Sequence, residues 1–197
     1  AVVAMLATTS IGAIWSSCSP DFGFQGVVDR FGQITPKVLF VADGYYYKGK
    51  VIESAATVTK LAEAILGLER IIIIQYVGTD LTVYPELTVT YEKFVASSVL
   101  NPLHFVQSDF DHPLYILYSS GTTGVPKCIV HGAGGTLLQH LKEHVLHTDL
   151  KPDDRLFYFT TCGWMMWNWL VSGLASGVTL ILYDGNPFYP SNSTLLD

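Results

Sequence analysis

Leu114-Tyr-Ile-Leu-Tyr-Ser-Ser-Gly-Thr-Thr-Gly-Val-Pro-Lys127 runs from an apolar stretch straight into small, hydroxylated residues and ends on a lysine. Leu114 to Tyr118 has the β-branched and aromatic composition of a strand. Beyond it, two glycines, four hydroxyls and one lysine fall within the nine residues Ser119 to Lys127. Glycine lets the backbone turn tightly and bring its N–H groups close to an anion. Ser119, Ser120, Thr122 and Thr123 add donors, Lys127 adds a positive charge suited to a polyphosphate, and Pro126 stiffens the approach to it. A Walker A loop is excluded, because Pro126 rather than Gly precedes Lys127 and Cys128 rather than a hydroxyl follows it. By composition alone, a phosphate cradle and a plain polar turn between two strands both remain open.

Outward from this loop, apolar runs and amphipathic stretches alternate, the pattern of βα units around a largely parallel sheet. Ile11 to Ser17 reads as a short strand, Gly23 to Ile34 as a helix, and Lys37 to Ala42 as a strand ended by Asp43-Gly44. Val51 to Leu66 repeats apolar residues at helical spacing, and Arg70 to Val77, with four consecutive isoleucines, reads as a strand buried on both faces. Tyr91 to Ser97 suits a short helix and Asn101 to Pro113 a polar connection. Downstream of the loop follow a strand at Cys128 to His131, a helix over Gly135 to Thr148, and a strand, helix, strand succession at Leu156–Thr161, Trp164–Leu174 and Val178–Tyr183. The fold class is therefore α/β.

Composition narrows the function classes. The 197 residues are 49% hydrophobic and 14% charged, which excludes disorder and coiled coil and calls for a large interior. A net charge of -6 with scattered Lys and Arg leaves no basic footprint for nucleic acid. Cys18, Cys128 and Cys162 are too far apart in sequence for a CxxC site, so reduced thiols of a cytosolic (cytoplasmic) protein are expected. Leu156 to Tyr183 lacks charge and exceeds the roughly 20 residues a span needs. Its glycines and hydroxylated residues instead favour buried strands and a helix, with no membrane span. The opening Ala-Val-Val-Ala-Met-Leu has neither a start Met nor a signal peptide's basic region, as in a cut from a longer protein.

The complete string Ser119-Ser-Gly-Thr-Thr-Gly-Val-Pro-Lys127 resembles the phosphate-loop signature of the adenylate-forming (AMP-dependent synthetase/ligase) superfamily, [ST]-[SG]-G-[ST]-T-G-x-P-K. Further stretches are similar to its acetoacetyl-CoA synthetase branch: Gly12-Ala-Ile-Trp-Ser-Ser-Cys-Ser-Pro-Asp-Phe-Gly23, Lys127-Cys-Ile-Val-His131, Thr161-Cys-Gly-Trp-Met-Met-Trp-Asn-Trp169 and Asp184-Gly-Asn-Pro-Phe-Tyr-Pro190. The resemblance implies that residues 1–197 are part of the large N-terminal domain of such an enzyme. In that reading the phosphate loop occupies residues 119–127, and the C-terminal domain with its adenylation lysine lies outside the chain.

The implied activity is a two-step ligation in which acetoacetate attacks the α-phosphate of Mg2+-bound ATP and coenzyme A then displaces AMP. Ser119, Ser120, Gly121, Thr122, Thr123, Gly124 and Lys127 would neutralise the leaving phosphates, which is positioning and electrostatics rather than proton transfer. Trp164, Met165 and Met166 would line a pocket for a short acyl group, although such residues also serve as plain core. No catalytic residue and no metal ligand is expected within the chain, and the isolated chain is expected to be inactive.

Other constellations carry less. His140, His144 and His147 share one stripe about 60° wide on the downstream helix, but no HExxH and no convergent carboxylate accompany them, so a solvated or rim-facing edge is expected rather than zinc. No GxSxG elbow supports a hydrolase. Asp109 with Asp111, and Asp153 with Asp154, are expected to shape loops, and Tyr45-Tyr-Tyr-Lys-Gly-Lys50 to be an ordinary loop. Two alternatives stay open beside acetoacetate ligation: an acetyl- or other short-chain acyl-CoA synthetase, and a non-catalytic fragment that binds a nucleotide or a partner.

Overall fold

In a computed structural model, residues 1–79, 86–98, 102–119 and 124–195 are described. The chain divides into two compact units, Ala1–Ser19 with Pro102–Tyr183, and Pro20–Asn101 with Asp184–Asp197. Among the described residues, four of the six strand pairings are parallel, so the α/β expectation holds, with the strands shared among several small sheets.

The first unit opens with helix α1 (Val2–Ser10), a helix that the sequence reading did not assign, followed by the two-residue strand β1 (Trp15–Ser16) in place of the expected strand from Ile11. Strand β7 (Pro113–Ser119) lies between β1 and β8 (Lys127–Gly132), parallel to the first and antiparallel to the second. Ser16 fastens this edge by donating from Oγ to the Ile116 carbonyl at 2.8 Å. Helix α5 (Ala133–Leu141) follows β8 and continues as a π-helical stretch, Lys142–His147. Strand β9 (Arg155–Phe157) pairs in parallel with β10 (Thr179–Ile181) across helix α6 (Met165–Ser172) and a 3-10 turn. Leu156, Leu170 and Val178 form the core between them. Gly173 lets the backbone approach this core closely, since a Cβ there would stand 2.6 Å from the end of the Leu156 side chain.

The second unit has helix α2 (Gly23–Ile34), which ends with Thr35 in the left-handed region just before Pro36, a residue that cannot continue the helix. Strand β2 (Val38–Ala42) runs parallel to β5 (Arg70–Ile74), which also pairs with β6 (Thr88–Thr90) ahead of α4 (Tyr91–Ala96). As the middle strand of its sheet, β5 sends Ile71, Ile72 and Ile73 to alternate faces and buries all three, each worth about 2 kcal/mol of burial. Helix α3 (Ala55–Ala64) turns Val58 and Leu61 inward, with the buried Ile65 just past its end, and packs on α2.

Two expectations are corrected here. Tyr45 to Lys50 is no loop: strands β3 (Gly44–Tyr47) and β4 (Lys50–Glu53) form an antiparallel hairpin turned by Lys48 and Gly49, both at positive φ. That pair of left-handed residues makes the two-residue turn whose twist matches flanking strands. Val51 to Glu53 consequently belongs to a strand, and the helix predicted from Val51 begins at Ala55.

Asp43 anchors the ends of β2 and β5. Its buried carboxylate accepts four backbone N–H bonds of 2.7 to 2.9 Å from Tyr76, Val77, Gly78 and Thr79. Burial pushes its pKa up, but the four donors together outweigh burial and hold it below the ordinary carboxylate value. Among the described residues no helix is long and apolar enough to cross a membrane.

Candidate functional site

The loop singled out in the sequence is the turn of the β7–β8 hairpin. It leaves the carboxyl end of the middle strand of its sheet, the position where open α/β sheets bind ligands. Ser119 and Lys127 are directly paired across the ladder, so they close the loop and present their side chains on one face. Gly124 has a φ of 104°, which suits glycine alone, and an added Cβ there would meet no atom within 4 Å. Lys127 is exposed and forms no ion pair among the described residues. Ser120, Gly121, Thr122 and Thr123 lie outside the described residues.

Along β8, alternate residues Lys127, Ile129 and His131 face the same way over Ser119, Leu117 and Tyr115. His131 packs against Tyr115 with ring centroids 5.1 Å apart and the planes tilted by 35°, and burial lowers its pKa. His131 also opens onto a cleft of about 520 Å³ between the end of β8, α5 and the start of α6. Met165 is the α6 residue in its wall, so one of the three expected pocket residues is brought to the cleft. Trp164, at the N-cap of α6, is 65% exposed and Met166 is half-buried, and neither lines this cleft. The approach to α6 is fixed by Ser17, whose Oγ donates to the Cys162 carbonyl at 2.6 Å, and by Cys162, whose thiol donates to the Cys18 carbonyl at 3.2 Å. Trp167 stacks on Trp15 behind them.

The α5 histidines do not sit as expected. His140 and His144 are buried, His144 completely, whereas Leu137, Leu138 and Val145 are exposed. The reason is that α6 offers polar partners: His140 Nδ1 is 2.8 Å from Ser172 Oγ, and His144 Nε2 is 3.0 Å from the Trp169 carbonyl and 3.1 Å from the same Ser172 hydroxyl. A carbonyl only accepts, so His144 carries its proton on Nε2. Its Nδ1 is then a buried lone pair, with no partner among the described residues. Burial lowers both pKa values; for His140 the nearby His144 adds to this and Glu143 opposes it. His147 alone keeps the expected exposure. Among the described residues no cluster of three or more His, Cys, Asp or Glu side chains is arranged to hold a metal ion.

The sequence matches the family model for AMP-binding enzymes over residues 1–197. The chain belongs to the AMP-binding enzyme family. Within this AMP-binding family it is 59% identical, over its whole length, to acetoacetyl-coenzyme A synthetase of Rhizobium meliloti (strain 1021), of which it covers 30%. It is 50% identical over 98% of its length to malonamoyl-CoA synthetase vrtB of Penicillium aethiopicum, covering 28% of that protein. The solved structure of an acetoacetyl-CoA synthetase from Streptomyces lividans superposes with a TM-score of 0.89 at 49% identity, over 96% of this chain and 29% of that one. The chain thus spans about 30% of the length of the relatives it matches. For an AMP-binding enzyme, the position of the loop was readable from sequence. The burial of His140 beside the cleft was not, because Ser172, its partner, lies 32 residues away.

Proposed function

We propose that the complete protein containing this chain is an ATP-dependent, AMP-forming acid–thiol ligase that converts acetoacetate to acetoacetyl-CoA through an acyl-adenylate. The observation that carries the reading is the 59% identity over the whole chain to an acetoacetyl-coenzyme A synthetase. In the first step a carboxylate oxygen attacks the α-phosphate of ATP and pyrophosphate leaves. In the second, the thiol of coenzyme A attacks the acyl carbon and AMP leaves. Mg2+ enters with ATP as part of the substrate, since such ions are held mainly by phosphate oxygens and water.

Ser119, Ser120, Gly121, Thr122, Thr123, Gly124 and Lys127 are assigned to the triphosphate, where backbone N–H groups, hydroxyls and one ammonium offset charge on the departing pyrophosphate. The pairing of Ser119 with Lys127 supports this, because it holds both ends of the loop at one edge of the sheet. Trp164, Met165 and Met166 are assigned to the acyl group. Residues 1–197 are read as part of the synthetase domain, and no residue among them is assigned acid–base catalysis. Acetoacetate as substrate would place the protein in ketone-body and lipid metabolism, in the cytosol.

The malonamoyl-CoA synthetase relative favours a second, related reading. Acetoacetyl and malonamoyl groups share a second carbonyl one methylene beyond the thioester, so an acid of that class could replace acetoacetate. The test is acid-dependent ATP–pyrophosphate exchange by the complete protein with acetoacetate, acetate and butyrate. Strongest exchange with acetoacetate is expected. Preference for acetate would move the protein to another branch, and no exchange with any acid would overturn the ligase reading.

A further inference from the structure

We propose that His140, through its Nε2 atom, reads the second carbonyl of a β-keto or β-amide acid held in the cleft between β8, α5 and α6. The assignment rests on the ligase reading above and deepens it by naming a specificity-determining residue.

The cleft is too polar for a plain alkyl tail. Beside Met165 its wall carries His131, Thr136, Gln139, His140 and Glu143. Two of these are engaged with the protein itself: Gln139 donates to Glu143 Oε1 at 2.6 Å, and Glu143 Oε2 accepts from Trp169 Nε1 at 3.0 Å. His140 is held at one edge only. Its Nδ1 bonds Ser172, so Nε2, on the opposite edge of the ring, is the nitrogen left for a ligand in the cleft the ring lines.

The Ser172 hydroxyl decides what Nε2 offers. Ser172 Oγ is 2.7 Å from the Trp169 carbonyl, which His144 Nε2–H also reaches. The Ser172 hydroxyl donates to that carbonyl; in the proposal it turns its proton to His140 Nδ1, 2.8 Å away, leaving the Trp169 carbonyl to His144 Nε2–H, and the proton of the His140 ring stands on Nε2 as a donor for a ligand carbonyl. Burial keeps the ring neutral, so the contact forms without bringing a charge into the cleft.

Butyrate is the probe, because it keeps the four-carbon length and replaces the keto group by methylene. In the complete protein, His140→Ala is expected to lower the ratio of kcat/KM for acetoacetate over butyrate at least about tenfold, as a site built to bond a polar group loses its advantage. His140→Gln, which restores an N–H of similar reach, is expected to recover most of that ratio. Ser172→Ala, which loosens the ring without removing it, is expected to lower the ratio by about threefold and carries the comparison if His140→Ala does not fold. An unchanged ratio in His140→Ala, or in Ser172→Ala where His140→Ala does not fold, overturns the assignment while the ligase reading stands. Absence of turnover with every acid in the unsubstituted protein overturns both.

Discussion

Ser119 and Lys127 stand opposite each other at the end of an antiparallel ladder, closing the loop between them like a clasp. Their side chains share a face, and the exposed Lys127 ammonium forms no ion pair among the described residues. Lys127 accordingly adds little to folding, and under the proposed function its charge serves the triphosphate. Lys127→Ala in the complete protein should reduce ATP–pyrophosphate exchange by about 100-fold. Its melting temperature should move by no more than about 1 °C. A large drop in melting temperature would instead mark the lysine as structural.

Asp43 yields a prediction in both sequence and pH. Replacing it with Ala leaves four buried N–H groups without their acceptor, and a loss of about 3 kcal/mol is expected in urea unfolding at pH 7. Because the folded pKa is depressed, this stabilisation is complete above the unfolded carboxylate value, about 3.9, and disappears as pH falls through the lower folded value. The gap between the native protein and Asp43→Ala should therefore narrow below about pH 4; a gap independent of pH would contradict the role of the charge.

Gly44 opens the β3–β4 hairpin where the chain passes close to itself. A Cβ there would lie 2.6 Å from the Ile52 carbonyl and 2.6 Å from a Val77 methyl. Backbone cannot yield as a flexible side chain can, so Gly44→Ala should cost about 2 kcal/mol by urea unfolding. Gly67→Ala is a different control, since space around it is open and only its positive φ of 85° resists.

The paired imidazoles predict acid sensitivity. His140 and His144 have folded pKa values below that of a free imidazole, so the unfolded chain takes up protons first as pH drops below about 6.5. Stability should be full above that pH and decline below it, and His144→Phe, which keeps an aromatic ring against Trp169, should flatten that decline. At pH 8 the same substitution should cost about 1 kcal/mol for the lost hydrogen bonds. Melting temperatures from pH 5 to 8 would reveal a parallel decline in both proteins if the histidine were not responsible.

Patterns that depend only on near neighbours were legible in the sequence. Gly23–Ile34 is helical over the predicted residues, and the isoleucine run of β5 is buried on both faces, consecutive Ile71, Ile72 and Ile73 pointing to alternate sides of the sheet. The β3–β4 hairpin escaped because Lys48 stands where Asn, Asp or Gly would announce a two-residue turn, and because Val51 extends the apolar repeat of α3 backward by chance. Helix α1 buries only Ala4 and Met5, too little to leave an apolar periodicity. At the site, the loop was visible as a local string. The cleft was not, since it needs β8, α5 and α6 together, and the inward turn of His140 and His144 depends on acceptors supplied by another helix.

The first unit is interrupted in sequence: Trp15 pairs with Tyr115, and the residues between them include the three-stranded sheet of the other unit. On a ribosome the segment carrying Trp15 must therefore wait, without its strand partner, through the synthesis of about a hundred residues, while β2, β5 and β6 already have each other. Val3, Leu6 and Ile11 are exposed apolar side chains on that waiting segment. The order of synthesis thus leaves the Trp15 segment without its strand partner for longer than any described strand of the other unit.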